Sequence, residues 1–190
     1  MCSSAKYSKS KSTNVLFILP ALTSGGAERV LITLMNNINR EQFAPRMLTV
    51  SDYGSIRHLL DKNIPYETLN KRHVTRSFFA LYKAIKRNKP DVVVSTMAHL
   101  NLTLMVLRPF FPKTKFVIRE AITVSYIFEK YPLLSPLLKL AYKLLYSRAN
   151  LVVSPAQAII DEFKNDLKLK CDNHALLHNP VDLKRIRRSE

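Results

Sequence analysis

Gly25-Gly26-Ala27-Glu28-Arg29-Val30 joins an apolar run, Asn14-Val15-Leu16-Phe17-Ile18-Leu19-Pro20, to an amphipathic helix whose first turn these six residues open. Two adjacent glycines let the backbone turn tightly and approach a ligand with no side chain in the way. Free amides at a helix N-terminus carry the positive end of the helix dipole and form a seat for phosphate. Strand, glycine turn and helix together therefore point to a phosphorylated ligand. The spacing matches neither the dinucleotide pattern G-x-G-x-x-G nor the P-loop pattern G-x-x-x-x-G-K-[ST]. A plain connection between strand and helix fits the same six residues.

Outward from this turn, short apolar runs alternate with helical periodicity. Strands are predicted at residues 15–19, 46–50, 66–69, 92–95, 116–118, 151–153 and 175–177, and helices at 27–37, 56–62, 77–88, 100–107, 137–147 and 156–167. Such alternation implies a parallel sheet covered on both faces. The expected fold is α/β, a doubly wound parallel sheet of the Rossmann kind, with ligands beyond the carboxyl ends of the strands.

The chain has 190 residues and 47% hydrophobic content, enough for one sizeable core. Residues 1–13, with Lys6, Lys9, Lys11 and five serines, have the composition of a flexible basic tail. Cys2 and Cys171 lie far apart and indicate neither a disulfide framework nor a metal site, so a reducing cytosol is the expected compartment. The basic start and the apolar run 15–22 imitate a signal peptide, but the run is short, contains Pro20 and leads directly into the glycine turn, which favours a buried strand. No stretch has the roughly 18 to 20 consecutive apolar residues a spanning helix requires.

The opening strand and Gly-Gly-Ala-Glu-Arg-Val resemble the start of the N-terminal domain of glycosyltransferase family 4, retaining enzymes of the GT-B fold. Asp91-Val92-Val93-Val94-Ser95 is similar to the family's fourth strand, and Phe116-Val117-Ile118-Arg119-Glu120 resembles the next. Leu151-Val152-Val153-Ser154, the segment 158–163 and His178-Asn179-Pro180-Val181-Asp182 resemble the stretch leading into the interdomain hinge. The resemblance covers residues 14–183, expected to form the acceptor-side domain, with 184–190 as the start of a C-terminal half or a tail. In the family that second half carries most of the nucleotide-sugar site, including a Glu-x7-Glu pair. No such pair follows Asn179, so the expectation is half of a two-domain enzyme.

The resemblance also implies the chemistry. Retaining transfer in this class needs no metal or other cofactor, the nucleotide sugar being the donor substrate, and the donor phosphate takes the acceptor proton. The protein positions its partners and stabilises charge on the leaving diphosphate, work suited to fixed dipoles and cations. On that view Gly25 and Gly26 approach the donor phosphates or the acceptor through backbone amides, while Glu28 and Arg29 settle the helix start. His99, after the predicted fourth strand, falls where the family often has a histidine near the transferred sugar; a satisfied structural histidine is the other reading. Arg119 and Glu120 end the next strand, where a cation would meet a phosphate and a carboxylate a sugar hydroxyl; a local ion pair or loop anchor fits equally. Asn179 and Pro180 read as hinge residues, and Asp161, Glu162 and Asp166 as a solvated helix face.

Thirty Lys and Arg against fourteen acids give a net charge of +16 and a pI near 10.0, so the surface seeks anions. The chain shows no nucleic-acid-binding module, which makes nucleic acid the poorer partner. An anionic membrane surface fits better. Lys139 and Lys143 lie four apart among the leucines and tyrosines of 137–146, and a second basic cluster of Arg72, His73, Arg76, Lys83, Lys86, Arg87 and Lys89 surrounds an apolar helix, with Arg76, Lys83, Lys86 and Arg87 expected to face the membrane. Such segments lie in the interface with their cations toward the headgroups. The expected location is cytoplasmic, peripheral at the inner face of the cell membrane.

Three functions follow. The domain supplies the acceptor side of sugar transfer from a nucleotide sugar to a glycan or lipid-linked glycan and needs a C-terminal donor-binding half, in the same or a separate polypeptide. Alternatively it docks on membranes or a partner without turnover, or it belongs to a GT-B-like sugar-nucleotide epimerase.

Overall fold

The computed structural model describes residues 12–180. Most of the expected tail, Val181 and Asp182 of the hinge signature, and residues 184–190 lie outside them. Seven strands form one parallel sheet: β1 (Thr13–Leu19), β2 (Phe43–Thr49), β3 (Tyr66–Thr68), β4 (Val92–Thr96), β5 (Lys115–Arg119), β6 (Leu151–Ser154) and β7 (His174–Leu176). The order across the sheet is β3-β2-β1-β4-β5-β6-β7. Among the described residues six α-helices accompany it: α1 (Gly26–Asn37), α2 (Phe78–Asn88), α3 (Ala98–Leu107), α4 (Val124–Lys130), α5 (Ser135–Tyr146) and α6 (Gln157–Asn165).

The period-two alternation of β1 splits the core into two layers. Leu16 and Ile18 face one side, with Leu81, Leu104, Phe116 and Phe163; Val15, Phe17 and Leu19 face the other, with Leu31, Ile32 and Met35. Each of these apolar side chains, fully buried, stabilises the fold by roughly 1.5–3 kcal/mol. Right-handed crossovers dictate the sides. The chain runs one way from β1 through β2 to β3 with α1 on one face, then crosses over through α2 and proceeds from β4 to β7 with its helices on the other. The sheet is thus doubly wound, and its order reverses between β1 and β4.

All seven predicted strands are present, within a few residues at their ends. Two helices differ. The expected helix at 56–62 is only a 3-10 turn, Arg57–Leu59. Asn36 of α1 explains it: its Nδ2 donates to the Leu59 carbonyl (2.8 Å) and its Oδ1 accepts from the Asp61 amide (3.0 Å), satisfying the backbone without a second turn. Nucleating a helix over so few residues is itself unfavourable. The unpredicted α4 begins at β-branched Val124, and its start is secured from 38 residues away. The Glu162 carboxylate accepts from the Val124 amide (2.8 Å), the Ser125 amide (3.3 Å) and the Ser125 hydroxyl (2.8 Å). Glu162, read as part of a solvated face, is therefore a cap for another helix.

Candidate functional site

In a doubly wound sheet the crevice lies where the strand order reverses, at the carboxyl ends of the flanking strands. Here that point separates β1 from β4. A cavity of about 450 Å³ opens beside it, within the range of small-molecule sites. Its apolar side is formed by Pro20 and Ala21 after β1 and by Val50 after β2. Ser51 and Tyr53 continue the wall, and Arg72, His73 and His99 contribute basic side chains.

Several local devices shape it. Gly54 has φ +139° and packs so closely on Leu22 that a Cβ would overlap the Leu22 carbonyl, so only glycine fits. The loops are laced there: the Leu22 amide donates to the Tyr53 carbonyl (3.2 Å), and the Ile56 amide to the Leu22 carbonyl (3.2 Å). After β3, the Lys71 amide donates to the Val50 carbonyl (2.8 Å), and the buried Ser77 hydroxyl donates to the His73 carbonyl (2.7 Å). These bonds hold Arg72 and His73 over the cavity. Asp52 turns away, accepting from the Tyr66 hydroxyl (3.0 Å), so no carboxylate lines the space.

His99 sits on the first turn of α3, just after Met97, whose φ of 78° is strained for a side-chain-bearing residue. Such strain costs on the order of 1–3 kcal/mol and clusters at functional sites. Desolvation by the surrounding protein lowers the His99 pKa, favouring a neutral imidazole that can accept or donate one hydrogen bond. The cavity thus holds the Arg72 guanidinium together with a histidine whose charged form burial disfavours.

Gly25 and Gly26 stand at the same end of β1, but they differ. Nothing lies within 4 Å of a Cβ built on Gly26, so its α-carbon is open. A Cβ on Gly25 would overlap the Glu28 carboxylate, which folds back over the turn. Gly25 has φ −68° and ψ 156°, angles any residue adopts, so what a side chain there would displace is the tip of the Glu28 carboxylate. Glu28 is buried; its Oε1 accepts a short bond from the Thr23 hydroxyl, while Oε2 has no partner among the described residues.

Arg119 and Glu120 lie inside the protein, 5% and 2% exposed, and do not line the cavity. Arg119 donates to the Thr96 hydroxyl (3.4 Å) and to Asn179 Oδ1 (2.6 Å), tying the end of β5 to the hinge-like segment. Glu120 accepts a short bond from the Tyr146 hydroxyl, and Asn101, itself held by Ser95 (2.7 Å), lies 3.5 Å from the same oxygen. Burial outweighs these bonds and pushes the Glu120 carboxyl up to about 7. The pair forms a buried polar network, the loop-anchor arrangement that its sequence also fitted. Arg72, His73 and Gly54 are the cavity features that sequence reasoning did not select as a site. In the sequence Arg72 and His73 belong to the basic cluster around residues 72–89, and a positive φ at Gly54 has no sequence signature beyond glycine itself.

The basic residues assigned to a membrane fall into two groups on different helices. Arg76 precedes α2, and Lys83, Lys86 and Arg87 lie on its exposed side; Arg87 is ion-paired with Glu67. Lys139 and Lys143 project from α5, Lys139 with its ammonium 5.2 Å from the Phe128 ring centre. On α5, Tyr142 and Tyr146 enter the core, while Leu137, Leu140 and Leu144 remain exposed. Leu133, 96% exposed, and Leu134 extend this apolar face through the preceding turn. No helix among the described residues is long and apolar enough to cross a membrane.

The parallel sheet, its reversal point and the cavity beside it define a Rossmann-like domain, the N-terminal half of a GT-B architecture. The chain belongs to Glycosyltransferase Family 4, whose family model matches residues 24–185. It is 28% identical over 174 residues to the N-acetylgalactosamine-N,N'-diacetylbacillosaminyl-diphospho-undecaprenol 4-alpha-N-acetylgalactosaminyltransferase of Campylobacter jejuni, covering 87% of this chain and 47% of that protein. The chain spans about half the length of the curated relatives it matches. Its fold is similar to that of the lipopolysaccharide outer core galactosyltransferase WaaB, with TM-score 0.62 and 14% identity over 89% of this chain and 46% of that one. It is also similar to a UDP-N-acetylglucosamine 2-epimerase, with TM-score 0.60 and 15% identity over 89% of this chain and 49% of that one. The fold therefore does not select the reaction.

Proposed function

We propose that this domain supplies the acceptor side of a retaining glycosyltransferase, receiving a lipid-linked glycan and acting with a donor-binding half that holds the nucleotide sugar. The observation that carries the reading is the cavity at the reversal point of a Family 4 domain, lined by His99 and Arg72 and free of carboxylates. In that reading the donor diphosphate takes the acceptor proton, and the domain orients the attacking hydroxyl. His99, mainly neutral, hydrogen-bonds a sugar hydroxyl, and the open backbone at Gly26 admits a phosphate or sugar close to the start of α1. Holding the acceptor hydroxyl beside the departing diphosphate, on the same face of the sugar, is worth several kcal/mol of barrier without any enzymic base.

The lipid-linked acceptor class is supported by the diphospho-undecaprenol substrate named for the Campylobacter relative. It also agrees with the apolar face of α5 and its two lysines, which we read as peripheral contact with the inner face of the cell membrane. The test is transfer of radiolabelled sugar from a panel of nucleotide sugars to lipid-linked and soluble acceptors, using the chain with and without the polypeptide encoded immediately downstream. Transfer is expected to lipid-linked acceptors and to require a donor half. Vesicle binding with no transfer under any of these conditions would instead favour a docking role without turnover.

A further inference from the structure

We infer that the Glu28 carboxylate is a sugar-binding group, accepting a hydrogen bond from a hydroxyl of the sugar that lies over the glycine turn. This rests on the reading of the domain as the acceptor side of sugar transfer and names one contact within it. Glu28 is 2% exposed, and a carboxylate taken out of water is costly unless its lone pairs are met. Only one oxygen is met: Oε1 accepts from the Thr23 hydroxyl, while Oε2 has no partner among the described residues. Glu28 is the third residue of α1, where a capping-box glutamate would bond the amide of the N-cap, here Gly25. Oε2 makes no such bond. The carboxylate lies instead where any other residue at position 25 would carry its side chain.

Whatever meets Oε2 must bring a hydrogen. An ionised phosphate brings none and shares its charge, so the partner is a hydroxyl or an amide N–H. The turn also stands beside the cavity. Ala21, two residues before Thr23, lines it, and the Leu22 amide ties the same segment to the Tyr53 carbonyl (3.2 Å). Nothing lies within 4 Å of a Cβ built on Gly26, so a sugar ring can come close to the backbone there. The Thr23 bond fixes the carboxylate, so the acceptor is set before the ligand arrives.

The hydroxyl could belong to the acceptor sugar or to the donor sugar, and the experiment separates them. Binding to the purified chain is measured by calorimetry for a short-chain polyprenyl-diphosphate-linked N-acetylgalactosamine, for UDP-N-acetylgalactosamine, and for the monodeoxy analogues of each. In wild type, removing one particular hydroxyl of the lipid-linked sugar is expected to weaken binding about tenfold or more, the scale of one bond to a charged group. Glu28→Gln keeps the side-chain length and an oxygen for Thr23, but puts an N–H in place of Oε2. It should bind the parent sugar as weakly as wild type binds that deoxy analogue and lose nothing further when the hydroxyl is removed, with the melting temperature unchanged. Coupling to a single hydroxyl is a result that a merely structural cap would not give. If Glu28→Gln loses the same factor as wild type for every deoxy analogue, the contact is overturned while the proposed function stands. Wild-type affinity for both ligands that is indifferent to the loss of any hydroxyl would overturn it without recourse to the variant. Coupling found with the UDP sugar alone would uphold Glu28 as a sugar-hydroxyl acceptor and overturn the acceptor-side reading, and wild-type binding of neither ligand would overturn both.

Discussion

Glu120 shows how one residue's chemistry depends on where the fold puts it. Its carboxyl titrates near 4.5 when unhindered and near 7 inside the Tyr146–Asn101 network. A raised carboxyl pKa means the folded state prefers the protonated form, so its stabilising contribution is full below pH 4.5 and is lost as pH rises to 7. The loss is on the order of 3 kcal/mol. Glu120→Gln stays neutral throughout, and chemical denaturation should show wild type losing stability relative to it across that window. His99 and His174, whose lowered pKa values act in the opposite direction, are present in both proteins, so the difference between them isolates Glu120. Parallel stability profiles would mean that the buried carboxyl stays ionised across that range. Glycines make the same point at smaller scale. Gly25 yields space to Glu28, Gly54 is required by its backbone angle and by Leu22, and Gly26 is constrained by neither.

Helix α4 is an element that its own sequence does not announce. It is seven residues long, opens on a β-branched residue and follows Thr123, whose side chain makes no capping bond. Its start is completed by Glu162 of α6, a contact of high sequence separation. Losing a helix cap costs about 0.5–2 kcal/mol, and here three bonds go at once. Glu162→Ala should therefore destabilise the protein by about 2 kcal/mol and raise hydrogen exchange of the Val124 and Ser125 amides. Unchanged exchange at those amides would show that α4 is held by packing of Val124 and Phe128 instead. The opposite case is the segment around Arg57–Leu59, where an apolar pattern suited to a helix is used without one, because Asn36 already supplies its backbone partners.

At the scale of the molecule, a charge of +16 and one apolar face act together. Leu137, Leu140 and Leu144 lie along one side of α5, spaced for a single stripe, with Lys139 and Lys143 beside them. Each lysine near an anionic leaflet contributes roughly 1 kcal/mol, so K139Q/K143Q should weaken sedimentation with phosphatidylglycerol vesicles by about tenfold or more. Replacing the three leucines by serine should weaken it further, whereas added salt should reduce only the lysine part. Equal binding by wild type and both variants would remove α5 from the membrane contact and leave the α2 cluster as the candidate.

Much of this was legible beforehand. Seven short apolar runs, the two-residue alternation of β1 and the helical periodicity between strands are local properties, and they determined an α/β parallel sheet because burying both faces leaves few other arrangements. The Gly-Gly turn, the strand ends and the hinge-like segment marked the family by their order along the chain. The interior of the site was not legible. Arg119 and Glu120 look like a cleft pair in sequence, but they are buried among Thr96, Asn101, Tyr146 and Asn179, because the end of β5 is covered by elements from both earlier and later in the chain. Arg72 and His73 are exposed, as their sequence suggests, but only the fold-back of the loop after β3 to Val50 sets them at the edge of a cavity. Pattern along the chain decides which elements form. Contacts across 20 to 60 residues decide which side chains share a dry network or an open cavity, and therefore which of them keep their charge for a ligand.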